Sequence, residues 1–124
     1  MEFSIAIPHE LPIPSHLLCS LLSNLLDNAI EASEKIQHPK IYVKMNMVKD
    51  YLSLTVSNHI EEWQRENALS RKTTKQNPHL HGIGWKSIQS IVKRYNGISD
   101  FQVEGTVCRA SVMLELPEAG QTPN

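Results

Sequence analysis

Residues 24–32 read NLLDNAIEA, with Asn24 and Asn28 four apart in a leucine-rich stretch. At about 100° per residue, Ser20, Asn24, Asp27, Asn28 and Glu31 fall within roughly a third of a helix's circumference, opposite the leucines. Such a strip is often no more than a solvated face. Asparagine is a mediocre helix former, however, and Lys, Glu or Ala would serve a solvated face better. A neutral carboxamide oxygen is a hard ligand suited to a Mg²⁺ ion that also carries a polyphosphate, because it adds coordination without more negative charge. A second constellation is SRKTTKQNPHLHGIG, residues 70–84, which joins hydroxyls, cations and two glycines ahead of a helical pattern. Gly82 and Gly84 let the backbone turn tightly and approach a ligand, and the N–H groups at the start of the following helix offer it the positive end of the dipole. A glycine pair before a helix is also a plain turn in many proteins. Beside the asparagine helix, and after an aperiodic connection over residues 59–81 of lid-like length, it points to phosphate. His79 and His81 have an HxH spacing without a Cys or acidic partner nearby, and fit the glycine turn better than a metal pair.

These groups need elements to position them. EFSIAI alternates, with Phe3, Ile5 and Ile7 expected inward on a strand that Pro8, Pro12 and Pro14 end. Ser15 is a candidate cap for a helix whose apolar positions are Leu18, Leu21, Leu22, Leu25, Leu26, Ala29, Ser33 and Ile36, ending before Pro39. KIYVKMNMV and YLSLTVSN alternate around Lys49-Asp50, a hairpin with Ile41, Val43, Met45, Leu52, Leu54 and Val56 toward the core. GIGWKSIQSIVKRYNG places Trp85, Ile88, Ile91, Val92 and Tyr95 on one helical face, with Gly97 at C′. A second hairpin turns at Glu104-Gly105 and presents Cys108, Ala110, Val112, Leu114 and Leu116 on one face. The order strand, helix, hairpin, loop, helix, hairpin predicts a two-layer α/β sandwich: an antiparallel or mixed sheet with both helices on one face.

With 124 residues and 40% hydrophobic content, the chain suits one domain, over residues 1–118, with a frayed tail at 119–124. Twelve Lys+Arg balance 13 Asp+Glu, which argues against a nucleic-acid footprint or a membrane-surface patch, so an anionic ligand must be held locally. Cys19 and Cys108 fit two reduced core thiols in a cytosolic protein. No apolar run approaches the ~18–20 residues of a membrane span, and a soluble, cytoplasmic module is expected.

In order along the chain, NLLDNAIEA, VSN, TTK, HGIGWKS and Gly105-Thr106 resemble the N, G1, lid, G2 and G3 boxes of the GHKL superfamily, which comprises gyrase, a heat-shock chaperone, histidine kinases and MutL. The resemblance spans almost the whole chain. It is closest to the ATP-binding catalytic domain of the peptide-sensing, quorum-sensing type histidine kinases of Gram-positive bacteria. It implies a Bergerat-type sandwich, mixed and mainly antiparallel, with ATP and Mg²⁺ between the asparagine helix, the lid (about 59–81) and the second helix. By position it implies Asn28 as the Mg²⁺ ligand, Asn24 near the γ-phosphate, Thr74 and Lys75 as lid contacts, Gly82, Ile83, Gly84 and Trp85 as backbone to the phosphates, and Thr106 behind the adenine.

Two positions depart from the superfamily pattern. ATP-hydrolysing members carry a glutamate where this chain has Asn24, and an asparagine cannot act as a general base toward water. A kinase needs no water base, since its nucleophile is a histidine on another domain and catalysis is mainly positioning and charge neutralisation. At G1, Asn58 stands where an aspartate accepts the adenine amino group, and no glycine follows it. Trp85 stands where related kinases carry leucine, and reads as a packing residue at the head of its apolar stripe. His9 and His16 lie among prolines, the wrong context for a phosphoacceptor. The implied partners are therefore the phosphoacceptor and dimerisation helices of a homodimeric, membrane-anchored parent kinase and a response regulator downstream. Two other readings remain open on the sequence: a nucleotide-free interaction module of the same fold, and a GHKL ATPase or serine kinase that regulates a partner protein.

Overall fold

A computed structural model describes residues 1–8, 10–34, 36–66 and 82–117. The elements are β1 (Glu2–Ala6), α1 (Ser15–Ser33), β2 (Ile41–Val48), β3 (Tyr51–His59), a 3₁₀ turn (Glu62–Gln64), α2 (Gly82–Arg94), β4 (Ile98–Glu104) and β5 (Val107–Glu115). The sheet order is β1-β2-β3-β5-β4. β1 runs parallel to β2, and every other neighbour pair is antiparallel. Both described helices cover one face, as expected. Residues 67–81, which contain Thr74, Lys75, His79 and His81, lie outside the described residues, as do His9 and the tail from 118.

Alternation decides which face is covered. Val43, Leu54, Val56, Val112 and Leu114 are all within 2% of full burial, and the ladders place Val43 opposite Val56 and Leu54 opposite Val112. Leu21, Leu25, Ala29 and Ser33 of α1 and Trp85, Ile88, Ile91, Val92 and Tyr95 of α2 are buried on that face. Each fully buried Leu or Ile contributes on the order of 1.5–3 kcal/mol of transfer free energy.

Several local expectations are corrected. Phe3 and Ile5 are 56% and 54% exposed. Their register partners Val43 and Met45 show that they do point to the helix side, but α1 packs over β3 and α2 over β4 and β5, so among the described residues no helix roofs the β1 edge. Ile7 alone of the three is half-buried against the core. Ser15 does not cap α1. Pro14, with ψ 136°, supplies the non-helical entry, and its carbonyl accepts from the N–H groups of Leu17 and Leu18. Ser15 is thus already inside the helix. α1 ends at Ser33, so Ile36 lies beyond it.

The end of α2 is a Schellman motif. Gly97 N–H donates to the Val92 carbonyl (2.8 Å) and Asn96 N–H to the Lys93 carbonyl (3.3 Å). Asn96, at φ 51°, is therefore the left-handed C′ residue and Gly97 is C″. Glycine is still required at 97, because a Cβ there would run into the Met113 carbonyl oxygen. Cys108 is buried, but Cys19 is exposed on α1 and is no core thiol. Among the described residues no helix is long and apolar enough to cross a membrane.

The start of the aperiodic segment is also ordered by tertiary contacts. β3 continues through His59, and Ile60 is buried in a small cluster with Cys108, flanked by Phe101 and Val103. A capping box between Glu61 and Gln64 then closes the 3₁₀ turn. Among the described residues of the segment, Ile60 is the buried apolar anchor.

Tyr95 carries a cost that a substitution can expose. Its hydroxyl is buried without a hydrogen-bond partner, and burial raises the phenol above its ordinary value of 10.0, with Arg94 pulling weakly the other way. The unfolded chain therefore gives up this proton first, so the fold loses stability through Tyr95 as pH rises beyond about 10. Tyr95→Phe should stabilise the fold by about 1 kcal/mol at neutral pH, because it removes an unpaired buried hydroxyl. It should also flatten the alkaline loss of stability. Urea unfolding of both proteins at neutral pH and at several values above about pH 9 checks this; a less stable Tyr95→Phe would mean that the hydroxyl is satisfied.

Candidate functional site

Burial of Leu21, Leu25 and Ala29 sets the rotation of α1 about its axis, and that rotation puts the asparagine strip on the helix flank. Asn24 and Asn28 are half-buried, whereas Asp27 and Glu31 are exposed. The Asn24 Nδ2 donates back to the Ser20 carbonyl at 2.8 Å, with Ser20 Oγ at 3.4 Å. This bond commits the amide nitrogen to the helix and leaves Oδ1 as the free acceptor. Asn28 makes no hydrogen bond to any described residue, so its carboxamide is uncommitted.

Asn58 reaches the same place from the sheet. It is 4% exposed, a buried polar residue at the end of β3, between Ile41 on β2 and Cys108 on β5. Its Nδ2 donates to the His59 carbonyl at 3.4 Å, too long to hold the amide firmly. Asn28 and Asn58 line one cleft with Leu25, Ala29, Val56, Phe101 and Ala110. The structure therefore brings together two carboxamides that lie 30 residues apart in the chain. None of the described lining residues is charged. The cavity has a volume of about 10 Å³, near the lower limit for one water.

The other expected residues divide. Gly82, Ile83 and Gly84 form the first turn of α2 rather than a loop before it. The N–H groups of residues 82–85, at the helix start, have no intrahelical acceptor, which suits an anion without requiring a separate turn. Trp85 is 4% exposed and belongs to the main core, in agreement with the packing reading of its side chain. α2 packs against α1. Thr106 is in the β4–β5 turn behind Gly105, whose φ is 57°. The Thr106 carbonyl accepts from Ile60 N–H at 2.9 Å, tying the chain that leaves β3 to this turn. Phe101, opposite Ala110 in the ladder, is a lining residue that no motif marked, although its place in the alternating DFQV stretch put it on the covered face. Thr74 and Lys75 fall outside the described residues.

The donor set suits a hard cation held jointly with phosphate. Among the described residues no three His, Cys, Asp or Glu side chains converge, so a dedicated transition-metal centre is not built from them. One uncommitted carboxamide oxygen is what a Mg²⁺ ion that keeps waters and phosphate oxygens can accept.

Residues 15–115 match the GHKL domain family, and the chain belongs to that family. Over 103 residues it is 29% identical to a probable C4-dicarboxylate sensor kinase of Halalkalibacterium halodurans, an alignment that covers 79% of this chain and 19% of the relative. The chain thus spans about a fifth of that protein's length. Among solved structures, the catalytic domain of histidine kinase ThkA superposes with a TM-score of 0.65 at 18% identity, covering 99% of this chain and 81% of the other. The histidine kinase domain of the blue-light activated kinase from Erythrobacter litoralis gives 0.66 at 14% identity, with 93% and 54% covered. At these identities the structures establish a shared fold: the five-stranded mixed sheet with two helices on one face is that of histidine kinase catalytic domains.

If the asparagines serve a ligand rather than the helix, replacing them must not harm the fold. Alanine exceeds asparagine in helix propensity by roughly half a kcal/mol, and neither side chain fills the core. Asn28→Ala should therefore unfold no earlier than the parent protein, and Asn24→Ala, which also gives up the bond to Ser20, should stay within about 0.5 kcal/mol of it. Thermal denaturation followed by circular dichroism decides. A loss of more than about 2 kcal/mol at either position would show that the residue is structural.

Proposed function

We propose that this chain is the ATP-binding catalytic module of a two-component sensor histidine kinase, which presents Mg-ATP for phosphoryl transfer to a histidine on a separate dimerisation domain. The observation that carries this reading is the convergence of the Asn28 and Asn58 carboxamides on one cleft beside α1 whose described lining is uncharged, in a chain of the GHKL family. ATP is the expected ligand and Mg²⁺ its counter-ion; when bound, the metal neutralises phosphate charge and orients the γ-phosphoryl group for in-line transfer. Asn28 holds the cation through Oδ1. Asn24, whose Oδ1 is left free by its bond to Ser20, lies toward the γ-phosphate and positions rather than deprotonates. The first-turn N–H groups of α2, Gly82 to Trp85, receive phosphate oxygens, with Thr74 and Lys75 as further contacts from the lid. Thr106 stands behind the base.

In the parent protein the acceptor histidine would sit on dimerising helices, the parent would be a membrane-anchored homodimer with this module on its cytoplasmic side, and a response regulator would take the phosphoryl group. That a relative is a probable sensor kinase supports the sensor-kinase part of this reading.

Calorimetric titration with Mg-ATP is the direct test. The chain should bind Mg-ATP, and Asn28→Ala should lower the Mg²⁺-dependent affinity by roughly 10- to 100-fold while the protein stays folded. Steady-state phosphate release should be marginal, because no carboxylate takes the position of a water base at Asn24. Brisk release would favour an ATPase, and absence of any nucleotide binding would favour the interaction-module reading. For the kinase itself, Asn24→Ala in a parent bearing the acceptor helices should depress transfer more than binding.

A further inference from the structure

The nucleotide reading leaves open which base the cleft prefers, and the group placed to choose is a neutral one. Asn58 lines the cleft, 4% exposed, together with the apolar Leu25, Ala29, Val56, Phe101 and Ala110 and one other polar group, Asn28. No described lining residue brings a carboxylate or a cation to the base edge. Its amide orientation is weakly held. The bond from Nδ2 to the His59 carbonyl is 3.4 Å long, and Oδ1 accepts nothing from the described residues. Turning the amide by half a revolution therefore sacrifices little.

We infer that Asn58 makes this site accept 6-oxopurine nucleotides as well as 6-aminopurine ones, an inference that rests on the nucleotide reading above. The chemistry is that of a two-ended group. In one orientation Oδ1 accepts from the adenine 6-amino group while Nδ2 donates to N1. In the other, Nδ2 donates to O6 of hypoxanthine or guanine while Oδ1 accepts from N1–H. Both edges are matched with two hydrogen bonds, and neither leaves a buried acceptor facing an acceptor. A carboxylate aimed at the same C6 substituent can only accept, so it would favour the amino group and repel O6.

The test is competitive displacement of a ribose-labelled fluorescent ATP from the full 124-residue chain in the presence of Mg²⁺. The competitors are ATP, ITP and purine riboside triphosphate. ITP changes the C6 substituent and N1 without adding a 2-amino group, and the riboside analogue removes the C6 substituent altogether. ITP should displace the probe within about tenfold of ATP, and the riboside analogue should be weaker than either by about fivefold, the value of one neutral hydrogen bond. Asn58→Leu, which keeps the shape and removes both hydrogen-bonding ends, should weaken ATP and ITP and bring all three competitors to one affinity. The wild-type series decides even if that variant does not fold. ITP weaker than ATP by more than tenfold, or a riboside analogue as strong as ATP, overturns the inference while leaving the ATP site intact. Failure of the labelled ATP to bind at all overturns the nucleotide reading instead.

Discussion

The rotation of α1 about its own axis is the constraint on which the site depends. Leu21, Leu25 and Ala29 recur at a spacing that only a helix brings to one side, and they are buried against the β2–β3–β5 face. Once that seam is down, Asn28 stands about 60° around the helix from Leu25, and Asn24 about 100°. They occupy the border between core and solvent, where a side chain can meet a ligand without giving up either the helix or the core. A shift of the apolar seam by one residue would turn the asparagines away from Asn58. The site is thus a phase relation between one helix and one strand.

A second feature is how little charge the described site contains. Carboxylates give stronger hydrogen bonds and tighter cation binding, but beside a polyphosphate they add repulsion. On the proposed reading, the carboxamides at 24 and 28 supply oxygens without that penalty. On the same reading, at Asn24 this removes the means of activating water, as suits a module that holds ATP for a nucleophile brought from elsewhere. At Asn58 the paired donor and acceptor of the carboxamide would, on the inference above, relax the choice of base. One chemical substitution, carboxamide for carboxylate, therefore bears on both turnover and selectivity.

The sheet is closed tightly on one face and left open at one edge. β1 pairs in parallel with β2 and carries Phe3 and Ile5 on the helix side without a described helix above them. Toward the other side, Ile60 and the Thr106 carbonyl fasten the chain as it leaves β3. The two ends of the site, Asn58 and the β4–β5 turn, are consequently held by the sheet and by each other, which gives the first part of the 59–81 connection a fixed point of departure.

Much of this was legible in the residues alone. Period-two alternation around Lys49-Asp50 and Glu104-Gly105 determined both hairpins and their buried faces, because a one-residue slip would expose every core side chain. Helical periodicity determined α1 and α2, and with them the polar strip, since the side chains that must be buried leave no freedom for the others. What alternation cannot say is whether anything lies above a face: Phe3 and Ile5 have the pattern of core residues, and only the lateral position of α1 over β3 decided that they are exposed. Cys19 is the helical counterpart, apolar in its surroundings along the chain and exposed in space. Ser15 and Gly97 had the right chemistry for caps one position away from where backbone geometry placed the cap, because Pro14 and the αL conformation of Asn96 took those roles first. The meeting of Asn28 with Asn58 and Phe101, and the anchoring of Ile60, were decided by tertiary structure, for they depend on strand order and helix placement. Local sequence dictates which way a side chain faces, and only the packed fold dictates what it faces.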